Sequence, residues 1–188
     1  MLWLTVVEWL SRLVFILLIG LSFWSISIII ERRRFFKDLE LPLDEYKRNI
    51  RNRVKMIKDD SLFGKMFVEI EAVKGSDKID KAFDVFLTEE RKALEKGLPV
   101  LGTLGSTTPF IGLLGTILGI IVSFGELSQG SAGTNSVMFS LAESLVLTAA
   151  GLIVAIPAVV AFNFYSRKAK QVMSEASSLK DLYIAYKD

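Results

Sequence analysis

Residues 138–165, MFSLAESLVLTAAGLIVAIPAVVAFNFY, form an apolar and small-residue run long enough to cross a bilayer, with one side chain charged at neutral pH, Glu143. A spanning helix needs roughly 20 such residues at 1.5 Å rise each. At the centre of such a helix an acidic residue costs roughly 2.5–3.5 kcal/mol on insertion scales. The surroundings of Glu143 must therefore offset that cost, and this constrains the fold before any other feature is considered.

Two further runs reach spanning length: LVFILLIGLSFWSISIII, Leu13–Ile30, and LPVLGTLGSTTPFIGLLGTILGIIVSFGEL, Leu98–Leu127. The first is not a cleaved leader by its pattern, because its basic cluster, ERRRFFK, follows the apolar run and no small-residue cleavage site is present. Trp3, Trp9 and Trp24 suit interfacial anchors, with Trp24 also placed to pack on a neighbouring helix. Half of the chain is hydrophobic (51%), and its charges are gathered into blocks instead of being interspersed. That pattern predicts an all-α protein with three transmembrane helices.

Charge placement orients the spans. Lys and Arg cluster directly after the first run and, as SRKAK (166–170), directly after the third, while GELSQGSAGTNSV between the second and third carries none. The positive-inside rule then puts the N-terminus outside and the C-terminus inside. The organisation expected is an N-terminal segment and first span over 1–30, a cytoplasmic helical region over 31–97, a second span over 98–127, a short periplasmic loop over 128–137, a third span over 138–165 and a cytoplasmic C-terminal helix over 166–188. Helices two and three are long enough to extend beyond the membrane into the cytoplasm.

Between spans one and two, Leu43, Tyr46, Ile50, Val54 and Ile57 recur at helical spacing, as do Phe63, Met66, Phe67 and Ile70, and then Ile79, Phe83, Phe86 and Leu87. Three amphipathic helices follow, broken near 59–61 and 74–77, with Gly97 and Pro99 bending the last one where it enters the membrane. The chain has no Cys and no His, which excludes disulfide frameworks, zinc sites and imidazole relays. Its net charge of +2 from 23 basic and 21 acidic residues gives no support for nucleic-acid binding.

Two stretches carry the polar chemistry. Span two has Gly105, Gly112, Gly115 and Gly119 at spacings that let helix backbones approach closely, together with Pro109 and a hydroxyl cluster of Thr103, Ser106, Thr107 and Thr108. Such hydroxyls either line a polar path or bond the carbonyl of their own preceding turn. Span three draws Ser140, Ser144, Thr148, Gly151 and Ala155 into one stripe, with Glu143 beside it and Pro157 further on. Counted at 1.5 Å per residue, Thr148 lies roughly 16 Å in from Val137 and Thr107 roughly 14 Å in from Leu98, which places the two threonines at one level near mid-membrane. Glu143 has three readings: a tolerated interfacial residue, a structural hydrogen-bonding group, or an exchangeable proton site.

GSTTPFIGLLGTILGIIVSF, followed after a short loop by LAESLVLTAAGLIVAIPAVVAFNFYSR, closely resembles the ExbB/TolQ family of inner-membrane proton-channel subunits, relatives of the flagellar stator protein MotA. The likeness is strong over 103–167, and the order of spans extends it over the chain. The resemblance implies a ring-forming homo-oligomer, a pentamer in this family. The ring would enclose single spans of an ExbD/TolR-type partner whose membrane aspartate takes up and releases protons, and would pass the motion to a TonB/TolA-type periplasm-spanning protein. It further implies that Thr107 and Thr148 face that aspartate and that Glu143 is the family's intramembrane glutamate. The coupling ion is then H⁺, with Na⁺ also open to oxygen ligands, and no cofactor, metal or catalytic residue is called for. The bacterial inner membrane and its lipids are the expected surroundings. The ExbB-like reading, energising outer-membrane import, stands beside a TolQ-type role in envelope integrity and a structural scaffold without ion conduction. An intramembrane enzyme would need a second catalytic group at membrane depth, and no other side chain in the span of Glu143 is charged at neutral pH.

Overall fold

The computed structural model describes residues 2–39, 43–52, 61–73, 75–130 and 133–187. Six helices follow one another among these: α1 (Leu2–Asp38), α2 (Leu43–Arg51), α3 (Leu62–Glu71), α4 (Ser76–Glu95), α5 (Leu98–Ser128) and α6 (Thr134–Lys187). No strand occurs among the described residues. Three helices, α1, α5 and α6, are long and apolar enough to cross a membrane. The chain divides into two compact units, one of Met1–Glu31 with Gly97–Asn163 and one of Arg32–Lys96 with Phe164–Asp188.

The first unit is built from the three apolar helices, and its interior mixes small and hydroxyl-bearing residues with Leu and Val. Gly105, Thr108, Gly112, Gly115, Thr116, Gly119 and Ser123 share the buried face of α5 with Leu98, Leu101, Leu104, Leu118 and Val122. Phe110, Phe139 and Ile153 are exposed at 70% or more of their surface. This distribution suits a lipid surround, where apolar surface gains nothing by hiding and helices associate by close backbone packing. A Cβ on Gly112 would lie 2.6 Å from the Leu147 carbonyl oxygen, and one on Gly151 would lie 2.6 Å from that of Thr108. The pairing runs antiparallel, from Gly105 against Val159, through Gly112 against Gly151, to Gly119 against Ser144. α1 joins through Val14 and Leu18, which pack with Leu118, while Gly125 accommodates Leu4.

The second unit has an aromatic core. Tyr46 stacks on Phe67 with ring centroids 5.6 Å apart, Phe63 meets Tyr46 edge-on, and Tyr183 of α6 meets Phe67. Along α6, Tyr165, Ala169, Val172, Ala176 and Leu179 are buried at alternating spacings of four and three, the seam of a helix that packs along its whole length. Ser61 caps α3 by accepting a hydrogen bond from the Gly64 amide. Lys180 donates to Asp80 at 2.6 Å and lies over the Phe83 ring. The hydrogen bond to Asp80 raises the Lys180 pKa above 10.5.

Several expectations change. Residues 98 and 99 begin α5, with Gly97 at φ 74° as its N-cap and α4 already ended at Glu95, so Gly97 and Pro99 separate two helices instead of bending one. Proline in a first turn has no intrahelical hydrogen bond to lose. The tail expected over 166–188 is, through Lys187, the continuation of α6 and not a separate helix, since neither Pro157 nor SRKAK interrupts it. α6 also starts at Thr134, within the loop expected over 128–137. Trp24, like Trp3 and Trp9, is exposed. Val54, Ile57 and most of the expected break at 59–61 lie outside the described residues.

Two stability measurements follow. Gly151→Val inserts a side chain between two backbones and should cost about 1–3 kcal/mol or more in denaturant unfolding in detergent. Asp80→Asn should cost about 0.5–1 kcal/mol. Because the folded Lys180 pKa is raised above its unfolded value, the contribution of this pair is complete below pH 10.5 and is lost as pH rises through the folded value. The difference between wild type and Asp80→Asn, measured across pH 7 to 11, should therefore vanish only at the alkaline end.

Candidate functional site

The antiparallel contact of α5 and α6 decides which polar side chains meet. Thr116 is buried at 6% exposure, its Oγ1 lying 2.9 Å from the Ser144 carbonyl oxygen and in hydrogen-bond contact with Thr148 Oγ1. Two turns along, Ser123 Oγ donates to the Gly119 carbonyl of its own helix at 2.9 Å and lies 2.8 Å from Ser140 Oγ, and Ser144 Oγ donates to the Ser140 carbonyl at 2.8 Å. Thus Ser140, Ser144 and Thr148, the stripe read from the sequence, are brought together with Ser123 and Thr116 of the facing helix.

A hydroxyl carries one proton, and a carbonyl only accepts. The arrangement that satisfies both contacts has Thr116 donating to the Ser144 carbonyl and Thr148 donating to Thr116. The remaining lone pairs of the half-buried Thr148 are then free to accept a proton donor from outside the subunit.

The hydroxyl cluster near the start of α5 behaves differently. Thr103 donates to the Pro99 carbonyl, and Ser106 and Thr107 both donate to that of Thr103, at 2.8–3.0 Å. All three are exposed on this subunit. The level expected for Thr107 and Thr148 is not observed: Thr148 meets Thr116, nine residues and so ~13 Å further along α5. Counting inward from assumed membrane faces failed because the glycine contacts, and not the ends of the apolar runs, set the register. Thr116 was missed by the sequence reading, although it sits one helical turn from Gly112 in the small-residue series, and that was the available signal.

Glu143 is exposed, and it has no hydrogen-bond or ion-pair partner among the described residues. It does not serve as a hydrogen-bonding tie within its own subunit. It opens into a cleft of about 510 Å³ between the N-terminal part of α1, the C-terminal part of α5 and the N-terminal part of α6, which Ser140 and Ser144 also line. Gly115 and Gly119 are packing residues, against Val14 and Leu147 and against Ser144 respectively. Pro109 and Pro157 lie inside α5 and α6 without ending them. No group of three or more acidic side chains able to hold a metal occurs among the described residues.

A profile described as the MotA/TolQ/ExbB proton channel family matches residues 47–178. The biopolymer transport protein ExbB of Xanthomonas campestris pv. campestris is 41% identical over 106 residues, 56% of this chain and 42% of that protein. The Tol-Pal system protein TolQ of Pseudomonas aeruginosa is 38% identical over 108 residues, 57% of this chain and 47% of the relative. The ExbB of Aquifex aeolicus is 43% identical over 81 residues, 43% of this chain and 55% of that protein. The chain thus matches about half the length of these relatives.

The hydroxyl pair has a measurable stability role. Thr116→Val, which keeps the side-chain shape and removes the hydroxyl, should cost about 1 kcal/mol in unfolding, and Thr116→Ser should restore most of it.

Proposed function

The chain belongs to the MotA/TolQ/ExbB proton channel family, and from that premise we propose that it is a ring-forming subunit of an inner-membrane motor driven by the proton gradient. In this reading the N-terminus is outside, residues 31–97 and the C-terminus are inside, and several copies, five by family resemblance, surround the spans of a small partner. The partner carries a titrating carboxylic acid at membrane depth and couples its movement to a periplasm-spanning protein of the TonB/TolA kind.

The observation that carries this reading is the composition of the α5–α6 contact. In a unit whose exterior is apolar, hydroxyls from both helices line up along the contact, bonded in the pairs Thr116–Thr148 and Ser123–Ser140 and to the carbonyls of Ser140 and Ser144 between them. Beside it stands Glu143, a carboxylate without an intrasubunit partner. A scaffold held by glycine packing alone has no use for an unpartnered carboxylate at this depth, whose cost must be met by water or by a neighbouring chain. Thr148, with lone pairs left to accept, suits the protonated form of a partner's acid. Thr116 joins it as the second threonine of the site, while Thr107 keeps only an exposed position nearer the cytoplasmic end. H⁺ is the coupling ion that these groups exchange most directly.

The test uses the subunit co-expressed with its partner in membrane vesicles. Glu143→Gln and Thr148→Val should each lower proton flux and gradient-driven work by tenfold or more, taken as about 1.4 kcal/mol of lost barrier reduction at minimum. Assembly, read by co-purification of the partner, should stay intact. Wild-type flux in both variants would return the protein to the scaffold reading.

A further inference from the structure

The membrane-crossing unit, residues 1–31 and 97–163, contains five side chains charged at neutral pH: Glu8, Arg12, Glu31, Glu126 and Glu143. Four of them line one cleft, Glu8 and Arg12 from α1, Glu126 from α5 and Glu143 from α6, while Glu31 stands at the other end of α1's contribution to this unit. Dispersed in a low-dielectric surround, four charges would each bear a separate solvation cost. Gathered around one opening, they share water.

The cleft is large enough for that water. Its volume of about 510 Å³ compares with ~30 Å³ per molecule in the liquid, so on the order of ten waters fit. Within it Arg12 pairs with Glu8 at 2.7 Å, one turn apart on α1. That pair is neutral as a unit, which leaves the Glu143 carboxylate, without a partner among the described residues, to give the opening a negative field. A concave, negatively charged opening between low-dielectric walls concentrates cations, protons among them. On its inner side the same cleft is lined by Ser140 and Ser144, the start of the hydroxyl series that continues to Thr116 and Thr148.

We propose that this intrasubunit cleft is the outer access chamber for protons, with one wall supplied by α1. Water in the cleft delivers a proton to the Glu143 carboxylate, which becomes a carboxylic acid and later releases the proton toward the interior hydroxyls. The inference rests on the proton-driven function proposed above and adds its route: each subunit carries its own outer chamber, bounded by Glu8 and Arg12, in a helix that the site chemistry of α5 and α6 does not otherwise require.

The absence of cysteine from the chain makes the test direct. Ser11→Cys and Phe15→Cys put a thiol on the α1 wall of the cleft, and Leu10→Cys, outside the lining, serves as the control. Each variant, assembled with its partner, is treated in right-side-out and in inverted membrane vesicles with a membrane-impermeant methanethiosulfonate bearing a trimethylammonium group, and in parallel with its sulfonate analogue. From the outer side the cation should react with the cleft thiols about tenfold faster than the anion, and Glu143→Gln should bring that preference to about threefold or less. Labelling should cut proton flux about fivefold at positions 11 and 15 and leave position 10 unaffected. Thiols that react only from the inner side, that show no preference for the cation, or that are fully labelled without loss of flux would overturn the chamber while leaving the motor function standing. Unmodified wild-type vesicles that move no protons at all would overturn the motor function and the chamber with it.

Discussion

The close approach of α5 and α6 at Gly112 and Gly151 governs the membrane unit. Each glycine faces a carbonyl oxygen of the other helix at a distance no Cβ tolerates. In lipid there is no hydrophobic gain in bringing two apolar helices together, so contact of this kind, backbone against backbone, is what holds them. It also sets the register. With Gly112 seated on Gly151, Thr116 falls on Thr148, Gly119 on Ser144 and Ser123 on Ser140. The polar series is therefore a consequence of packing, and the same small residues that hold the helices leave room for their hydroxyls.

That dependence explains how a polar path survives in an apolar unit. Hydroxyls in membrane helices satisfy themselves on the preceding turn of their own helix, as Thr103, Ser106 and Thr107 do. Thr116 does otherwise because Gly112, one turn away, brings the second helix within reach of its oxygen. The Ser144 carbonyl and the Thr148 hydroxyl then compete successfully with the Gly112 carbonyl, which lies 3.3 Å from Thr116 Oγ1. Once the direction of the hydrogen bonds is settled by the carbonyl, Thr148 is left with acceptor capacity that no donor among the described residues uses. Glu143 is the complementary case: a group for which the subunit supplies space and neighbouring charge but no partner.

The second unit works by different physics. Tyr46, Phe63, Phe67, Phe83 and the buried seam of α6 form an apolar core of the kind found in water-soluble helical domains. Of its charged groups, Arg32 is buried and donates to the Ala93 carbonyl at 2.9 Å, while Lys180 and Asp80 tie α6 to α4. A single helix, α6, thus carries a hydroxyl and glycine face over one part of its length and a heptad-like apolar seam over another, with no break where the two meet.

Much of this was legible in the amino-acid sequence. Three apolar runs, segregated charge and small-residue spacing determined the helical class, the number of candidate spans and the face of α6 that bears Ser140, Ser144 and Thr148, because periodicity within one helix is a local property. Helical spacing also announced the amphipathic pieces around Tyr46, Phe67 and Phe83. Which residue of α5 meets Thr148 was not local: it depends on where two glycines let the backbones touch, and a count from the ends of the spans pointed to Thr107 where packing selects Thr116. The gathering of Glu8, Arg12, Glu126 and Glu143 around one opening likewise required the tertiary structure, since these residues come from three helices and acquire a common environment only when those helices pack.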